Sequence, residues 1–257
     1  MARPLTLERV WAGLAVVYNL QTFPLFAAYI TMIVLSGQWR KFSKPLSLRP
    51  VLVVYNFTAS AISLYTLVGF FVGLYNAESS FGAYSDEQLR PVFRIYWLTK
   101  IFELLDTVFM ILRHKSRQIS LLHVYHHGSM LLLSDIAYHL FPYPAMTSYL
   151  GLNSAVHVVL YMYYGLSALY PENPPEWKKF LTQFQIVQFA IDLVHATYGY
   201  IYHTYCIYGI FYGLSMFCLF SNFYYRAYIK TRNQSKNQKA DNVSNGVCNG
   251  VNGIKSK

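Results

Sequence analysis

The chain has 257 residues, of which 54% are hydrophobic, 18% aromatic and only 12% charged. A soluble domain carries about 25% charged residues, so this composition excludes a soluble protein and indicates an integral membrane protein. The net charge of +10 is compatible with nucleic acid, but in a membrane chain the positions of the basic residues matter more than their sum, and no nucleic-acid partner is predicted.

Seven apolar segments are each long enough to cross a bilayer, which takes about 20 helical residues. The first is longer than the apolar core of a cleaved signal peptide and no small-residue cleavage site follows it, so it is predicted to remain as a spanning helix. The sequence therefore predicts an all-α integral membrane fold with seven transmembrane helices in one domain, residues 1–230. The predicted spans are Leu14–Leu35, Val51–Tyr75, Val92–Leu112, Ile119–Phe141, Ala145–Leu169, Phe180–Tyr202 and Tyr205–Ile229.

Basic residues concentrate in alternate loops between these spans. The first, third and fifth loops and the segment after the last span carry most of the Lys and Arg residues, whereas the fourth and sixth loops contain neither. This asymmetry predicts a cytosolic C-terminus and a lumenal N-terminus. Residues 231–257 are rich in Asn, Ser, Gly and Lys and poor in apolar residues, which predicts a disordered cytosolic tail.

The third predicted span carries four polar residues, Lys100, Glu103, Asp106 and Thr107. Their helical spacing places them along one stripe, and buried charges of this kind must pair with each other. Two interpretations stay open. The stripe is either an intramembrane ion-pair lock that fixes helix packing or the charged wall of a reaction chamber.

The fourth predicted span contains the sequence His123-Val-Tyr-His126-His127 within an apolar segment. Positions i, i+3 and i+4 share one helical face, so the three rings are expected to point together into the protein interior. Ionisable groups at membrane depth are costly and mark functional sites. We therefore predict that this histidine box is part of a functional site.

The fifth predicted span places Asn153, His157, Tyr161 and Tyr164 on one face, with Tyr163 beside it. A single Asn or His can also join two helices by a hydrogen bond, and for Asn153 taken alone this alternative is favoured. His157 is interpreted as part of the same site as the histidine box.

The sixth predicted span carries two glutamines, Gln185 and Gln188, whose amides suit either a polar ligand or each other across helices. Basic residues at the cytosolic ends of four spans are expected to gather into a phosphate-binding rim. For each of them alone, the orientation rule or contact with anionic lipid is an equal alternative. These rim residues are Arg113, Lys115, Lys178 and Arg226.

Clustered histidines suggest two chemistries. A di-iron centre of the desaturase type needs imidazoles from several boxes, but His114 lies in a predicted loop, His203 lies near a lumenal end, and the sequence has no second box. We therefore predict no metal. The alternative is a neutral imidazole that acts as a nucleophile and forms an acyl-imidazole. Burial favours the neutral ring, a neighbouring histidine can shuttle a proton, and Lys100 or Asn153 can stabilise developing negative charge.

Four motifs, in order across residues 100–188, resemble those of the very-long-chain fatty acid elongase family, the membrane condensing enzymes of the endoplasmic reticulum. Gln118-Ile-Ser-Leu-Leu before the histidine box and Tyr125 within it are more similar to the polyunsaturated-chain subgroup. Leu160 stands before Tyr161 where the family usually has methionine. The motifs are Lys100-Ile-Phe-Glu103-Leu-Leu-Asp106-Thr107, His123-Val-Tyr-His126-His127, Asn153-Ser-Ala-Val-His157-Val-Val-Leu-Tyr161-Met-Tyr163-Tyr164 and Thr182-Gln-Phe-Gln185-Ile-Val-Gln188.

The resemblance implies six of the seven helices around a closed substrate tunnel, and condensation of a long-chain acyl-CoA with malonyl-CoA to 3-oxoacyl-CoA, carbon dioxide and CoA. It implies that His126 accepts the acyl group, that His157 is its partner or acid/base, and that His123 and His127 shape the site. No cofactor is expected, because both CoA esters are substrates. Substrate-binding residues implied by the family are Lys100, Glu103, Asp106, Arg113, Lys115, Gln118, Asn153, Tyr163, Lys178, Thr182, Gln185 and Arg226.

The resemblance also implies a multi-pass protein of the endoplasmic reticulum membrane that works with a 3-oxoacyl-CoA reductase, a dehydratase and an enoyl-CoA reductase. A homodimer is one option for its assembly. A binding-only alternative stays open, namely a membrane receptor or lipid carrier with the same cavity but no turnover. The deep histidine cluster argues against it, because binding a CoA head group requires cations rather than three neutral rings.

Overall fold

The computed structural model describes residues 7–230, and the predicted tail of residues 231–257 lies outside the described residues. Within 7–230 the chain forms nine α-helices and no strand. A 3₁₀ turn, Ser116–Gln118, precedes α6, and a π-helical turn, Tyr225–Lys230, follows α9. The helices are α1 Leu7–Tyr18, α2 Phe23–Phe42, α3 Arg49–Asn76, α4 Arg90–Phe102, α5 Leu105–Leu112, α6 Leu121–Leu140, α7 Pro144–Leu169, α8 Lys178–Tyr202 and α9 Tyr208–Tyr224.

Helix starts follow local signals in the sequence. Helices α2, α3, α4 and α7 each have a proline at their first or second position, where the missing N–H has no intrahelical partner to lose. The Ser120 hydroxyl caps α6 by accepting a hydrogen bond from the His123 amide at 3.2 Å. The histidine box therefore lies in the first two turns of α6.

The first predicted span, Leu14–Leu35, is wrong as a continuous helix. Helices α1 and α2 are separated by residues 19–22 and meet at an angle of 84°. The turn between them is fixed to α6, because the Thr22 amide and hydroxyl both donate to Asp135 Oδ2, at 2.8 and 2.7 Å. Helix α2 then begins at Phe23, with Pro24 at its second position, and continues beyond the predicted end to Phe42.

The third predicted span is also interrupted. Helix α4 ends at Phe102 and α5 begins at Leu105. Around this point the backbone amides of residues 104, 106 and 107 donate to carbonyls three residues earlier, which tightens the helix locally. The tightened turn contains Glu103, which is 1% exposed, so the helix changes its geometry beside a buried carboxylate.

Only part of the seven-span prediction is shown. Between residues 7 and 230, α3 is the one helix that is long and apolar enough by itself to cross a membrane, and the bent pair Trp11–Tyr18 with Phe23–Phe42 adds a second candidate. The other predicted spans do form helices, but several of them carry the interior polar residues. The all-helical fold is confirmed, whereas the count of seven spans stays a prediction.

Helix α3 packs along α7, α8 along α9, and α4 along α6. The largest buried cluster joins aromatic side chains of α3 and α4, with Phe70 and Phe93 ring centroids 5.3 Å apart at a right angle. Tyr96 belongs to the same cluster, with its ring 5.6 Å from Phe70. This packing holds α4, which carries Lys100 of the polar stripe, against the bundle.

One end of the bundle is closed by contacts between loops. It is called the basic end, because Arg113 and Lys115 lie in the α5–α6 connection and Lys178 begins α8 there. The amide of Leu46 donates to the Leu112 carbonyl at 3.0 Å. The guanidinium of Arg49 donates to the carbonyls of residues 168 and 169 at 2.9 and 2.7 Å. These contacts bring together the connections after α2, α5 and α7.

The α3–α4 connection, residues 77–89, covers the opposite end. The amide of Asp86 donates to the Pro142 carbonyl at 3.1 Å. The ring of Phe81 is stacked between His195 and His203, at centroid distances of 4.7 and 4.6 Å. The connection is therefore attached to the ends of both α6 and α8.

Asp135 is predicted to stabilise this fold more than an exposed acid does. The variant Asp135→Ala leaves the buried Thr22 donors without an acceptor and removes the carboxylate 2.5 Å from His139 Nδ1. We expect a loss of about 3 kcal/mol in the free energy of unfolding, measured as a lower temperature at which detergent-purified protein loses monodispersity.

The matched control is Glu87→Ala. Glu87 pairs with Arg90 at 2.7 Å while its side chain is 71% exposed, and the hydrogen bond from Arg90 lowers the pKa of the Glu87 carboxyl. An exposed pair of this kind contributes little to stability, so we expect no measurable change in the temperature at which the protein loses monodispersity. If both variants lost monodispersity at the same temperature, Asp135 could not be the residue that fixes the turn between α1 and α2 to α6.

Candidate active site

A buried polar cluster joins the tightened turn after α4 to α7. The ammonium of Lys100 donates to both oxygens of Glu103, at 3.0 and 3.1 Å, and to Asn153 Oδ1 at 3.0 Å. Lys100 and Glu103 are 3% and 1% exposed. Because removal of two charges from water is costly, both groups depend on this mutual contact and on the Asn153 amide.

Glu103 also holds His157 of α7. Its Oε1 lies 2.9 Å from His157 Nδ1, and His157 is 4% exposed. A carboxylate can only accept, so this contact places the proton of a neutral His157 on Nδ1 and leaves Nε2 as the nitrogen with a lone pair. The arrangement corresponds to a base oriented by a third group, as in hydrolytic triads.

The histidine box of α6 faces this cluster. The ring of His126 lies 6.0 Å from that of His157, with the planes inclined by 30°. His127 lies 5.4 Å from His126 and 4.3 Å from His123. The structure thus brings the three rings of the box together and places His126 next to His157, whereas the assignment of these residues to a catalytic site stays a prediction.

The remaining residues of the third-span stripe bind separate partners. Thr107 is fully buried and lies 2.8 Å from His123 Nε2. Asp106 accepts a hydrogen bond from the buried Tyr161 hydroxyl at 2.7 Å. The stripe therefore contacts α6 through Thr107 and α7 through Asp106 and Glu103, which unites both faces predicted from the sequence.

Two tyrosines of this site were missed in the sequence. The Tyr96 hydroxyl donates to Asn153 Oδ1 at 2.7 Å, and its ring centroid lies 4.7 Å from Lys100 Nζ. Tyr96 precedes Lys100 by four residues, so helical spacing could have revealed it. Tyr29 of α2 lies 3.2 Å from the Thr107 hydroxyl, and no local pattern signals that contact.

The sixth-span residues make few polar contacts. Gln188 donates to Asp192 at 3.2 Å on the same helix, so its observed partner is not Gln185. Thr182 is buried. Tyr163 packs its ring 5.4 Å from that of Trp177, directly before α8 begins.

The predicted rim residues stand at the basic end rather than in the buried cluster. They occupy the residue after α5, the connection to α6, the first residue of α8 and the π-helical turn. All but Arg113, which is half-buried, are exposed. They are Arg113, Lys115, Lys178 and Arg226. Gln118, which the family resemblance adds as a substrate-binding residue, is exposed in the same connection as Lys115.

The arrangement combines three chemical capacities. It has neutral ring nitrogens that can attack or shuttle a proton, an ammonium group that can stabilise negative charge, and a basic end suited to phosphates. Within the described part of the chain, no group of three or more His, Cys, Asp or Glu side chains is arranged to hold a metal ion. The predicted absence of a metal stays a prediction.

The chain is similar to known proteins over most of its length. The model of the GNS1/SUR4 (ELO) family matches residues 16–236. Very long chain fatty acid elongase 5 of Macaca fascicularis is 35% identical over 226 residues, covering 81% of this chain and 74% of that protein. Elongase 5 of Xenopus tropicalis is 36% identical over 228 residues, covering 80% and 75%. Very long chain fatty acid elongase 4 of Homo sapiens is 34% identical over 224 residues, covering 80% and 71%.

The two interpretations of the Lys100–Glu103 pair predict different outcomes for a neutral replacement. Lys100→Met and Glu103→Gln each leave one buried charge without its partner, and we expect each to lower the free energy of unfolding by about 3 kcal/mol. The double variant removes both charges at similar volume. It should therefore unfold near the wild-type temperature, measured as loss of monodispersity in detergent.

An assay of the condensation of acyl-CoA with malonyl-CoA, which the resemblance implies, tests the same double variant for a chemical role of the pair. If the pair is the wall of a reaction chamber, the stable double variant should lose at least about a hundredfold in kcat, as when a preorganised charge is removed from an active site. Activity close to wild type would instead establish an ion-pair lock.

Proposed function

The chain belongs to the GNS1/SUR4 (ELO) family, as the four motifs predicted, and we propose that it is the condensing enzyme of fatty acid elongation. The family is membrane-embedded and includes the very long chain fatty acid elongases. In this proposal the substrates are a long-chain acyl-CoA, preferentially polyunsaturated, and malonyl-CoA. The products are 3-oxoacyl-CoA, carbon dioxide and CoA.

The observation that carries the proposal is the pair of facing rings, His126 and His157, beside a buried Lys100–Glu103 pair. A protein that only binds an acyl-CoA needs cations for its phosphates. It does not need a second imidazole whose proton is fixed by a carboxylate. The pair instead suits a nucleophile with a neighbouring base.

In the first step a ring nitrogen of His126 attacks the thioester carbon. The new C–N bond forms, the C–S bond breaks, and the proton lost by His126 passes through His157 to the departing CoA thiolate. The ammonium of Lys100 lowers the energy of negative charge that develops during the attack. His123 and His127 orient the box.

In the second step malonyl-CoA loses carbon dioxide. The electron pair of its broken C–C bond forms the new bond to the acyl carbon, and the bond to His126 breaks. His126 then takes up the one proton from solvent that the overall condensation consumes. Loss of carbon dioxide drives the two-step reaction forward. Direct attack on the thioester without an acyl-histidine is the alternative to this two-step route.

The proposal includes a topology in the endoplasmic reticulum membrane. The spanning segments are α2, α3, α4 with α5, α6, α7, α8 and α9, and six of them surround the acyl tunnel. The basic end faces the cytosol by the positive-inside rule, which leaves the N-terminus lumenal and the C-terminus cytosolic. Contacts of the α2–α3 and α5–α6 connections at one end support this arrangement.

The basic end is proposed to bind the phosphates of the CoA esters. Arg113, Lys115, Gln118, Lys178 and Arg226 contact the CoA portion, and Tyr163, Thr182 and Gln185 lie farther inside. No cofactor is needed. The product is the substrate of a 3-oxoacyl-CoA reductase, followed by a dehydratase and an enoyl-CoA reductase, so association with these enzymes belongs to the proposal. A homodimer is the proposed assembly.

His126→Ala tests the nucleophile. We expect condensation to be abolished, because no ring remains to accept the acyl group, while the protein stays monodisperse. Intact-mass spectrometry of wild type incubated with a polyunsaturated acyl-CoA alone should show an adduct of acyl mass on the His126 peptide, discharged by malonyl-CoA. The matched control is His203→Ala at the opposite end, which should retain both adduct and activity.

Each contrary outcome has a separate meaning. Condensation retained by His126→Ala would remove this residue as the nucleophile. Product formation by wild type without any adduct would favour direct transfer. Activity lost on chelation and restored by iron would favour a metal centre, and no product from any acyl chain would favour a binding protein.

Lys178→Ala and Arg226→Ala test the rim. Each is expected to raise the KM for acyl-CoA several-fold with kcat nearly unchanged, because contacts to the CoA phosphates are the same in the ground state and the transition state. Arg94→Ala, an exposed cation of α4 near the opposite end, is the control. A fall in kcat alone would contradict a role in ground-state binding.

A further inference from the structure

Two consecutive hydrogen bonds connect a side chain of α2 to the histidine box. The Tyr29 hydroxyl lies 3.2 Å from the Thr107 hydroxyl, which lies 2.8 Å from His123 Nε2. Tyr29 is 3% exposed and Thr107 is fully buried. These hydrogen bonds connect α2, for which the sequence predicts no polar face, to the first ring of the box.

The number of donors and acceptors determines which group donates in each of these two hydrogen bonds. If His123 Nε2–H donated to Thr107, one buried hydroxyl proton would lack an acceptor among the described residues. Either Thr107 donates to Tyr29 and the Tyr29 O–H has no acceptor, or Tyr29 also donates to Thr107 and the Thr107 O–H has none. A buried donor without a partner costs about 1–3 kcal/mol. In the opposite direction Tyr29 donates to Thr107 and Thr107 donates to Nε2, so both hydroxyl protons are used. The remaining ring proton of His123 then lies on Nδ1, which is not among the fully buried polar atoms that lack a hydrogen-bond partner in the described residues.

We propose that Thr107, supported by Tyr29, is a positioning residue that keeps the proton of neutral His123 on Nδ1 and fixes the orientation of its ring. This inference rests on the proposed condensing function. The ring of His123 lies 4.3 Å from His127, which in turn lies 5.4 Å from the nucleophile His126. Through these contacts the Thr107 hydroxyl sets the geometry in which His126 is acylated.

The Thr107 hydroxyl is not needed to fill space. A valine has the same shape and preserves the packing, but it has no proton to donate. It therefore leaves His123 Nε2 facing a methyl group, and the ring can rotate or move its proton to Nε2. The expected defect is chemical rather than structural, which makes Thr107→Val the informative variant.

The test compares steady-state condensation in four variants with wild type. Thr107→Val should lower kcat about tenfold to a hundredfold, the rate equivalent of one hydrogen bond in a buried site, with the KM for acyl-CoA within about twofold of wild type. Thr107→Ser keeps a donor and should restore kcat to within about threefold. Tyr29→Phe should have a smaller effect than Thr107→Val, because Thr107 still donates to Nε2.

The matched control is Thr66→Val, which removes a buried hydroxyl between α3 and α7 that lies 3.0 Å from Ser154, and it should retain wild-type kcat.

Several outcomes would overturn the inference. Wild-type kcat in Thr107→Val, or an equal defect in Thr107→Ser, would show that the hydroxyl does not position His123. A defect in Tyr29→Phe as large as that in Thr107→Val would reverse the assigned direction of the protons. If Thr107→Val is not monodisperse, Thr107→Ala gives the same reading. Absence of condensation in wild type would overturn the proposed function and this inference together, whereas an active wild type with an active Thr107→Val would overturn only the inference.

Discussion

The rest of the site depends on the Glu103 carboxylate as a common hydrogen-bond acceptor. It accepts from the Lys100 ammonium and from His157 Nδ1 at the same time, in an interior where an unpaired charge is very costly. Loss of this acceptor would leave Lys100 buried without an opposite charge and His157 without a fixed proton. One carboxylate therefore couples the stability of the bundle to the orientation of a ring that faces the histidine box.

The helical frame is irregular at two points, each beside a buried carboxylate. The helix tightens between α4 and α5 beside Glu103, so the charge lies in an irregular turn rather than in a regular span. At another position, Asp135 of α6 binds the turn between α1 and α2. Both irregularities occur where a buried carboxylate accepts several hydrogen bonds, which satisfies backbone or side-chain donors that a membrane interior cannot hydrate.

The sequence was informative where residues of one face lie within two helical turns. Lys100, Glu103 and Thr107 follow helical spacing, and their burial confirmed the predicted stripe. The Thr22–Asp135 contact joins residues 113 positions apart, so no periodicity could reveal it, and the first span was predicted as unbroken. Tyr29 was missed for the same reason, since the partner that makes it part of the site is on another helix.

The hydrogen bonds of the four rings support a division of roles. His157 is held at Nδ1 by Glu103 and His123 at Nε2 by Thr107, so each has a fixed proton. Among the described residues, the rings of His126 and His127 make no such hydrogen bond, and of these two it is His126 that faces His157 at 6.0 Å. A ring nitrogen that forms and breaks a covalent bond must keep its lone pair available. His126, which has no fixed hydrogen bond and faces the fixed ring of His157, is therefore the ring best suited to carry the acyl group.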